Sequence, residues 1–142
     1  MENGKLKFLI AENDFNAALG IKLKVEELGW EVTSMVSSAI EAITKTELDK
    51  PNVILMDVLL NGSLDGVEAV KIISYKNIIP VIFMVNDDSQ NLLSKKKPDI
   101  HYEVIIKPVT KTSLEEAIGR IRKSINYNEI FPNVPKQRPY TF

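Results

Sequence analysis

The sequence predicts an α/β protein in which helices cover both faces of a parallel five-stranded sheet, a doubly wound arrangement. Three observations support this class. Short apolar runs alternate five times with segments in which apolar residues recur every three or four positions. Turn-forming residues bound the apolar runs, as is typical of buried strands. The short connections require right-handed crossovers, which place helices on both faces of the sheet.

The first strand–helix unit lies at the start of the chain. The apolar run Leu6–Ala11 predicts a strand. Phe15–Leu28 predicts a helix, because its apolar residues recur at helical spacing with charged residues between them. Asn13 or Asp14 can cap the first turn, and Gly29 follows the last turn, where glycine commonly ends a helix.

The second unit is less apolar than the first. Trp30–Ser37 is rich in strand-forming residues but only partly hydrophobic, as expected of a strand at the edge of a sheet. Ser38 and Glu41 have the spacing of a capping box, which predicts a helix that continues to about Leu48. Pro51 separates this helix from the next strand.

The third strand ends in the most informative residue of the sequence. Its short apolar run, Asn52–Met56, is typical of a fully buried strand, and Asp57 follows directly. A buried carboxylate costs free energy unless a positive charge lies beside it. Open α/β sheets bind their ligands just beyond the carboxyl ends of the strands. We therefore expect Asp57 to take part in chemistry.

The remaining elements complete the five repeats. A third helix follows the turn at Gly66, and Pro80–Val85 predicts the fourth strand. Only two leucines indicate the fourth helix, which continues into Lys95–Lys97, a predicted solvated face. Val104–Ile106 predicts the fifth strand, and the last helix begins at about Lys111. The apolar face of that last helix comprises Leu114, Ile118, Ile121 and Ile125.

The first, third and fourth strands are the most apolar and belong in the middle, which favours the flavodoxin-like order 2-1-3-4-5. We expect one domain over residues 1–125 and a tail or linker over residues 126–142, which are rich in Pro and Asn. The order brings the polar side chains that follow the strands to one edge of the sheet. They are Glu12, Asn13, Asp14, Asp57, the loop Asn86–Asp88 and Lys107.

Composition limits the function classes. The net charge of −1 calls for neither a nucleic acid nor a membrane surface as a partner. The chain has no cysteine, which excludes disulfides, thiol catalysis and cysteine-bound metals. No apolar run approaches the roughly 20 residues of a membrane span, and we expect no signal peptide, because the apolar stretch near the start is too short for one. We expect a soluble cytoplasmic protein.

The predicted cluster at the strand ends can bind a divalent cation and a phosphate. Mg²⁺ accepts one or two carboxylates together with waters and phosphate oxygens. Lys107 supplies a positive charge on the opposite side of Asp57. An aspartate flanked by a cation and a lysine can attack phosphorus, because the positive charges offset the charge on the phosphoryl oxygens.

Four segments together resemble the receiver domain of bacterial and archaeal two-component response regulators. They are ENDF after the first strand, LMDVLLNGSLDGVEAV around Asp57, IPVIFMV in the fourth strand and VIIKP in the fifth. The resemblance covers about Lys5–Ser124. It implies a phosphorelay in which Asp57 accepts a phosphoryl group from a histidine kinase or a phosphotransfer protein. It also implies signalling to a downstream protein target, and a homodimer is compatible with it.

The resemblance implies a role for each residue around the acceptor. Asp57 and Lys107 would be the catalytic pair, with Lys107 in contact with the phosphate. Any activity would be at most Mg²⁺-dependent self-phosphorylation and self-dephosphorylation at Asp57. The side chains of Glu12, Asn13 and Asp57 and the main-chain carbonyl of Leu59 would bind the Mg²⁺.

Three positions depart from the pattern of that family. Asn13 stands where the second acidic residue is expected, although Asp14 beside it could compensate. The Ser or Thr that senses the phosphoryl group aligns with Val85. The switch aromatic aligns with Val104, and Tyr102 lies two residues earlier. The acceptor is present, whereas the sensing groups are altered.

Two function classes therefore remain open. The first is a phosphorylatable receiver, and the second is a pseudo-receiver, an interaction module that works without phosphate. A phosphatase of the haloacid dehalogenase type would need a second aspartate two residues after the first, where Leu59 stands. A flavin-binding module would need a phosphate loop rich in Gly, Ser or Thr after the first strand, and the sequence lacks one.

Overall fold

The computed structural model of the chain describes residues 4–124, and in this range five strands alternate with five helices. The strands are β1 (Lys7–Ala11), β2 (Glu31–Val36), β3 (Val53–Asp57), β4 (Val81–Val85) and β5 (Tyr102–Ile106). The helices are α1 (Phe15–Glu27), α2 (Ala39–Asp49), α3 (Gly66–Ile73), α4 (Gln90–Lys96) and α5 (Lys111–Arg122). The predicted tail, residues 126–142, lies outside the described residues, as does Ile125.

The strands form one parallel sheet in the order β2-β1-β3-β4-β5, which confirms the predicted fold class and strand order. β1, β3 and β4 are the inner strands, and every residue of β3 and β4 is buried. β2 lies at an edge and is mostly half-buried, in agreement with its mixed composition. Its pairing with β1 is interrupted by a register shift between Phe8 and Leu9.

The sheet separates two apolar layers, because successive side chains of a strand point to opposite faces. Phe8 and Ile10 of β1 pack with α1 and α5, whereas Leu9 and Ala11 pack with α2, α3 and α4. The first layer also holds Trp30, whose ring stacks on Phe8 with the ring centroids 5.2 Å apart. Burial of both faces explains why the inner strands read as continuous apolar runs.

Several strand boundaries differ by one or two residues from those that the sequence predicts, and two of these differences bear on the site. Asp57 is the last residue of β3 rather than the residue after it, because its main chain pairs with Met84 of β4. β5 begins at Tyr102, two residues before the predicted start, because Tyr102 pairs with Val81 of β4. The Tyr102 ring also makes an edge contact with Phe83 at a centroid distance of 5.3 Å. The main chain of Asp57 is therefore held by the sheet itself.

All the described helices except α4 begin where a side chain accepts a hydrogen bond from a free N–H group of the first turn. Asp14 caps α1 and Ser38 caps α2, as the sequence predicts. The predicted capping box of α2 is only half formed, because Glu41 accepts the main-chain N–H of Ser37 and not that of Ser38. Asp65 and Thr110 form capping boxes at the starts of α3 and α5. α1 ends one residue earlier than predicted, with Leu28 as its C-cap. Between residues 4 and 124, no helix has the length and apolar character needed to cross a membrane.

Candidate functional site

The carboxylate of Asp57 is buried at the carboxyl edge of the sheet, with its side chain 5% exposed. Its Oδ2 atom lies 2.6 Å from Nζ of Lys107 and accepts a hydrogen bond from it. Its Oδ1 atom accepts a hydrogen bond from the main-chain N–H of Leu59 at 3.0 Å. Both oxygens therefore have a donor, which offsets part of the cost of burying the charge.

Lys107 is the residue directly after β5, and its side chain extends to Asp57. Its main-chain N–H donates to the carbonyl oxygen of Val85 at 2.8 Å, which fixes the end of β5 against β4. The following Lys107–Pro108 peptide bond is cis. The ammonium group also lies 2.9 Å from Oε1 of Glu12, so Lys107 forms ion pairs with two carboxylates.

Glu12, directly after β1, is the more deeply buried carboxylate, with its side chain 1% exposed. Its Oε2 atom accepts a hydrogen bond from the N–H of Asp14 at 3.2 Å. Its Oε1 atom is in ion-pair contact with Lys107, but the orientation does not make a hydrogen bond. This oxygen is consequently a buried acceptor without a hydrogen-bond donor.

Burial and neighbouring charges shift the pKa values of Glu12 and Lys107. Burial raises the pKa of Glu12, and the negative charge of Asp57 adds to the increase, while the contact with Lys107 opposes it. Burial tends to lower the pKa of Lys107, but Asp57 and Glu12 outweigh this effect and raise it. The ammonium group is therefore held in its charged form.

The structure places Asn13 and Asp14 at the exposed rim of the site. Asn13 and Glu12 line a cavity of about 260 Å³ that also borders Asn61 of the loop after β3. Asp14 is engaged as the cap of α1, where its Oδ1 atom accepts the N–H of Ala17 at 3.1 Å. Within the described part of the chain, no three Asp, Glu, His or Cys side chains are grouped so that they could hold a metal ion.

The donor set nevertheless fits a Mg²⁺ ion, which needs only one or two carboxylates and completes its shell with waters. Asp57 and Glu12 supply the carboxylates, and Oε1 of Glu12 lacks a hydrogen-bond donor. The amide oxygen of Asn13 and the main-chain carbonyl of Leu59 are further neutral ligands of the type that hard cations accept. Asn13 offers less charge than an aspartate would.

Val85 and Val104, the two positions that the sequence aligns with switch residues of receiver domains, lie in one apolar layer of the sheet. Val85 is the last residue of β4 and is fully buried. Val104 is half-buried on β5, opposite Phe83 in the sheet register. The aromatic residue of β5, Tyr102, therefore lies one strand repeat farther from Asp57. The side chains at positions 85 and 104 have no polar group to offer a phosphoryl group.

The loop after β4 is closed on itself. The side chain of Asn86 accepts the N–H of Ser89 at 2.8 Å, and the hydroxyl of Ser89 accepts the N–H of Asn86 at 2.9 Å. Asp87 and Asp88 are exposed between them. The Asn86 side chain, which the sequence places near the site, is thus engaged within its own loop.

The sequence analysis does not predict the structural roles of two residues near the site, Gly66 and Lys96. Gly66, predicted as part of a turn, is the first residue of α3, and a Cβ atom there would lie 2.0 Å from the carbonyl oxygen of Asp57. Lys96, predicted on a solvated face, makes ion pairs with Asp65 and Glu68 at 2.6 and 3.3 Å. The Asp65-Gly66 pair in the sequence is a signal for the close approach at Gly66. The ion pairs of Lys96 have no such signal, because they depend on the packing of two helices.

Comparison with known proteins identifies one family. The model of the response regulator receiver domain matches residues 8–119, a range that includes all ten elements except the first residue of β1 and the end of α5. Among curated proteins, the transcriptional regulatory protein PdtaR of Mycobacterium tuberculosis is 26% identical over 121 residues. That match covers 82% of this chain and 58% of PdtaR.

Solved structures agree with this match. The anti-anti-sigma factor PhyR of Bartonella quintana is 27% identical with a TM-score of 0.70, covering 82% of this chain and 46% of PhyR. This chain thus spans about half the length of PdtaR and PhyR. The receiver domain of the sensor histidine kinase PA1611 from Pseudomonas aeruginosa has a TM-score of 0.72 at 22% identity, covering 82% of this chain and 96% of that one. That structure contains a magnesium ion in its active-site cleft.

Proposed function

Because the chain belongs to the response regulator receiver domain family, we propose that Asp57 accepts a phosphoryl group from the phosphohistidine of a histidine kinase or a phosphotransfer protein. The observation that carries the proposal is the shared ion pair at the edge of the sheet. Asp57 is buried, the ammonium group of Lys107 lies 2.6 Å from its Oδ2 atom, and Glu12 adds a second carboxylate beside the same ammonium group.

The proposed step transfers phosphorus from nitrogen to oxygen. A carboxylate oxygen of Asp57 forms the new P–O bond, the P–N bond to the histidine breaks, and the electron pair of that bond stays on the imidazole nitrogen. The ammonium group of Lys107 offsets negative charge on the transferred group. Burial of Asp57 limits the access of water to the acyl phosphate.

Mg²⁺, when bound, neutralises charge on the phosphoryl oxygens. In this chain the side chains of Glu12, Asn13 and Asp57 and the main-chain carbonyl of Leu59 would hold it. Asn13 is neutral, so we expect a lower affinity for Mg²⁺ than two acidic residues at positions 12 and 13 would give.

Response regulator receiver domains interact with kinases and with downstream effectors, and the proposal assigns this chain the same two kinds of partner. We propose a protein target as the direct output, in the cytoplasm, with neither nucleic acid nor membrane as a ligand of this domain. A second copy of the chain is also a candidate partner.

A mass measurement tests the proposal. The protein is incubated with Mg²⁺ and acetyl phosphate, a small phosphodonor, and its intact mass is recorded. We expect the mass to increase by one phosphoryl group in the wild type and in Asp87→Asn, a control at an exposed aspartate of the loop after β4. Asp57→Asn should not gain mass. The proposal is wrong if the wild type gains none or if Asp57→Asn gains as much.

The alternative function is a pseudo-receiver that binds its partner without phosphate. The observation in its favour is the apolar lining at Val85 and Val104, which gives a phosphoryl group no hydroxyl to attract. This alternative predicts equal partner binding by the wild type and by Asp57→Asn. The phosphorylatable receiver predicts that phosphodonor treatment changes the binding of the wild type alone.

A further inference from the structure

A single lysine ties helix α4 to the start of helix α3. Lys96, the last residue of α4, places Nζ 2.6 Å from Oδ2 of Asp65 and 3.3 Å from Oε2 of Glu68. The Lys96 side chain is 27% exposed and that of Asp65 is 17% exposed. Lys96 and Asp65 are 31 positions apart, so the contact joins two elements rather than two turns of one helix.

The two carboxylates divide their oxygens between the helix cap and the lysine. Oδ1 of Asp65 accepts the N–H of Glu68 at 2.9 Å, and Oε1 of Glu68 accepts the N–H of Asp65 at 2.8 Å. The second oxygen of each faces Lys96. Two like charges placed this close repel each other, and a shared cation removes the repulsion. Lys96 therefore stabilises the capping box of α3.

This cap lies directly against the proposed acceptor. The N–H of Gly66 donates to the carbonyl oxygen of Val58 at 2.7 Å, and Gly66 leaves no room for a Cβ atom beside the carbonyl of Asp57. At the other end of the loop, the N–H of Leu59 donates to Oδ1 of Asp57. The loop of residues 58–65 is thus fixed at Asp57 on one side and at the start of α3 on the other.

We propose that Lys96 is a positioning residue for phosphoryl acceptance at Asp57. It holds the start of α3 in place through Asp65 and Glu68, and so keeps Leu59 where its N–H contacts Asp57 and where its carbonyl would be a ligand of Mg²⁺. The role rests on the proposed function. Lys96 acts through the cap of α3 and does not itself contact Asp57. We expect its loss to affect the rate, because small displacements of a positioned group have large effects on rate.

Three variants test this role. Lys96→Met keeps the length of the side chain and removes its charge, and Lys96→Arg keeps the charge. Lys95→Met removes the charge of the neighbouring exposed lysine of α4 and is the matched control. The unphosphorylated proteins are compared by the amide chemical shift of Leu59 and by hydrogen exchange at Gly66. Their maximal rates of phosphorylation by acetyl phosphate, and the donor concentrations at half-maximal rate, are then measured.

We expect Lys96→Met to shift the Leu59 amide, to speed exchange at Gly66 and to lower the maximal rate severalfold at an unchanged half-maximal donor concentration. Lys95→Met should match the wild type, and Lys96→Arg should recover most of the rate. A Lys96→Met protein that keeps the wild-type rate overturns the role, even if exchange at Gly66 is faster. A wild type that takes up no phosphoryl group overturns the proposed function and this role together, whereas a phosphorylated wild type with an unaffected Lys96→Met overturns this role alone.

Discussion

At the scale of the residue, the site is organised by an imbalance of charge. The carboxylates of Asp57 and Glu12 share the single ammonium group of Lys107. Breaking a buried ion pair by removing one partner costs more than the pair contributes, since the remaining charge is left without compensation. The site therefore keeps a buried negative charge that a cation or a change of protonation can offset.

This imbalance predicts a pH dependence of stability at Glu12. Burial and the charge of Asp57 raise the pKa of Glu12 in the folded state, against the effect of Lys107. A carboxyl with a raised pKa binds more protons in the folded than in the unfolded chain, so the free energy of unfolding falls as pH rises above about 4.3, the ordinary pKa of glutamate. Glu12→Gln abolishes this titration. We expect the variant to gain stability relative to the wild type as pH rises from about 4 to about 7.

Urea unfolding at the two ends of this pH range measures the effect. Glu116→Gln, at an exposed position of α5, controls for the loss of one negative charge. A difference between Glu12→Gln and the wild type that stays constant across the range would contradict the assigned environment of Glu12.

Asn13 predicts a specific weakness in the binding of Mg²⁺. A pair of unit charges about 4 Å apart is worth about 4 kcal/mol at an effective dielectric constant of 20, and the exposure of position 13 reduces this value. We expect Asn13→Asp to bind Mg²⁺ severalfold more tightly by calorimetry. Asn16→Asp, at an exposed position of α1, should match the wild type. Equal affinities of Asn13→Asp and the wild type would mean that Asp14 already supplies the charge.

At the scale of the element, β4 and β5 lack the groups that would respond to a phosphoryl group. A ligand shifts a conformational equilibrium only through its different affinity for the two states. Val85 offers only methyl groups, and the Tyr102 ring is packed on Phe83 instead of lying at position 104. The loop after β4 is in addition closed by the reciprocal bonds of Asn86 and Ser89. We therefore expect a weak response of α4, β5 and α5 to phosphorylation.

Restoring both groups should strengthen that response. In the double variant Val85→Thr and Val104→Tyr, the hydroxyl can donate a hydrogen bond worth about 1.5–3 kcal/mol to a charged acceptor. We expect larger amide chemical-shift changes over residues 91–124 when beryllofluoride, a mimic of the phosphoryl group, is added. The buried hydroxyl should lower the stability of the free protein by about 1–3 kcal/mol. Large changes over this range in the wild type would show that another group senses the phosphate.

At the scale of the whole molecule, the fold was predictable because the sheet is buried on both faces. Strands such as β3 and β4 then stand out as continuous apolar runs, and their apolarity relative to β2 indicates the strand order. Parallel strands place all their carboxyl ends at one edge, so the proximity of Asp57 and Lys107 follows from the topology.

Other features could not be read from the sequence because they depend on distant packing. The extension of β3 to Asp57 requires the pairing with Met84 of β4. The ion pairs of Lys96 require the ends of two helices to meet. Oε1 of Glu12 lies 2.9 Å from Nζ of Lys107 without forming a hydrogen bond, a detail that depends on how the two side chains are placed. Side-chain orientation of this kind has no periodic signal along the chain.

The central claim, that Asp57 is a phosphoryl acceptor, is tested most directly by locating the modification. Protein treated with acetyl phosphate and Mg²⁺ is reduced with borohydride, which converts an aspartyl phosphate to homoserine, and the peptides are then sequenced by mass spectrometry. We predict homoserine at position 57 and unmodified aspartate at positions 14, 65 and 87. Homoserine at one of those other positions would contradict the claim. A protein that gains no mass and contains no homoserine would contradict it as well.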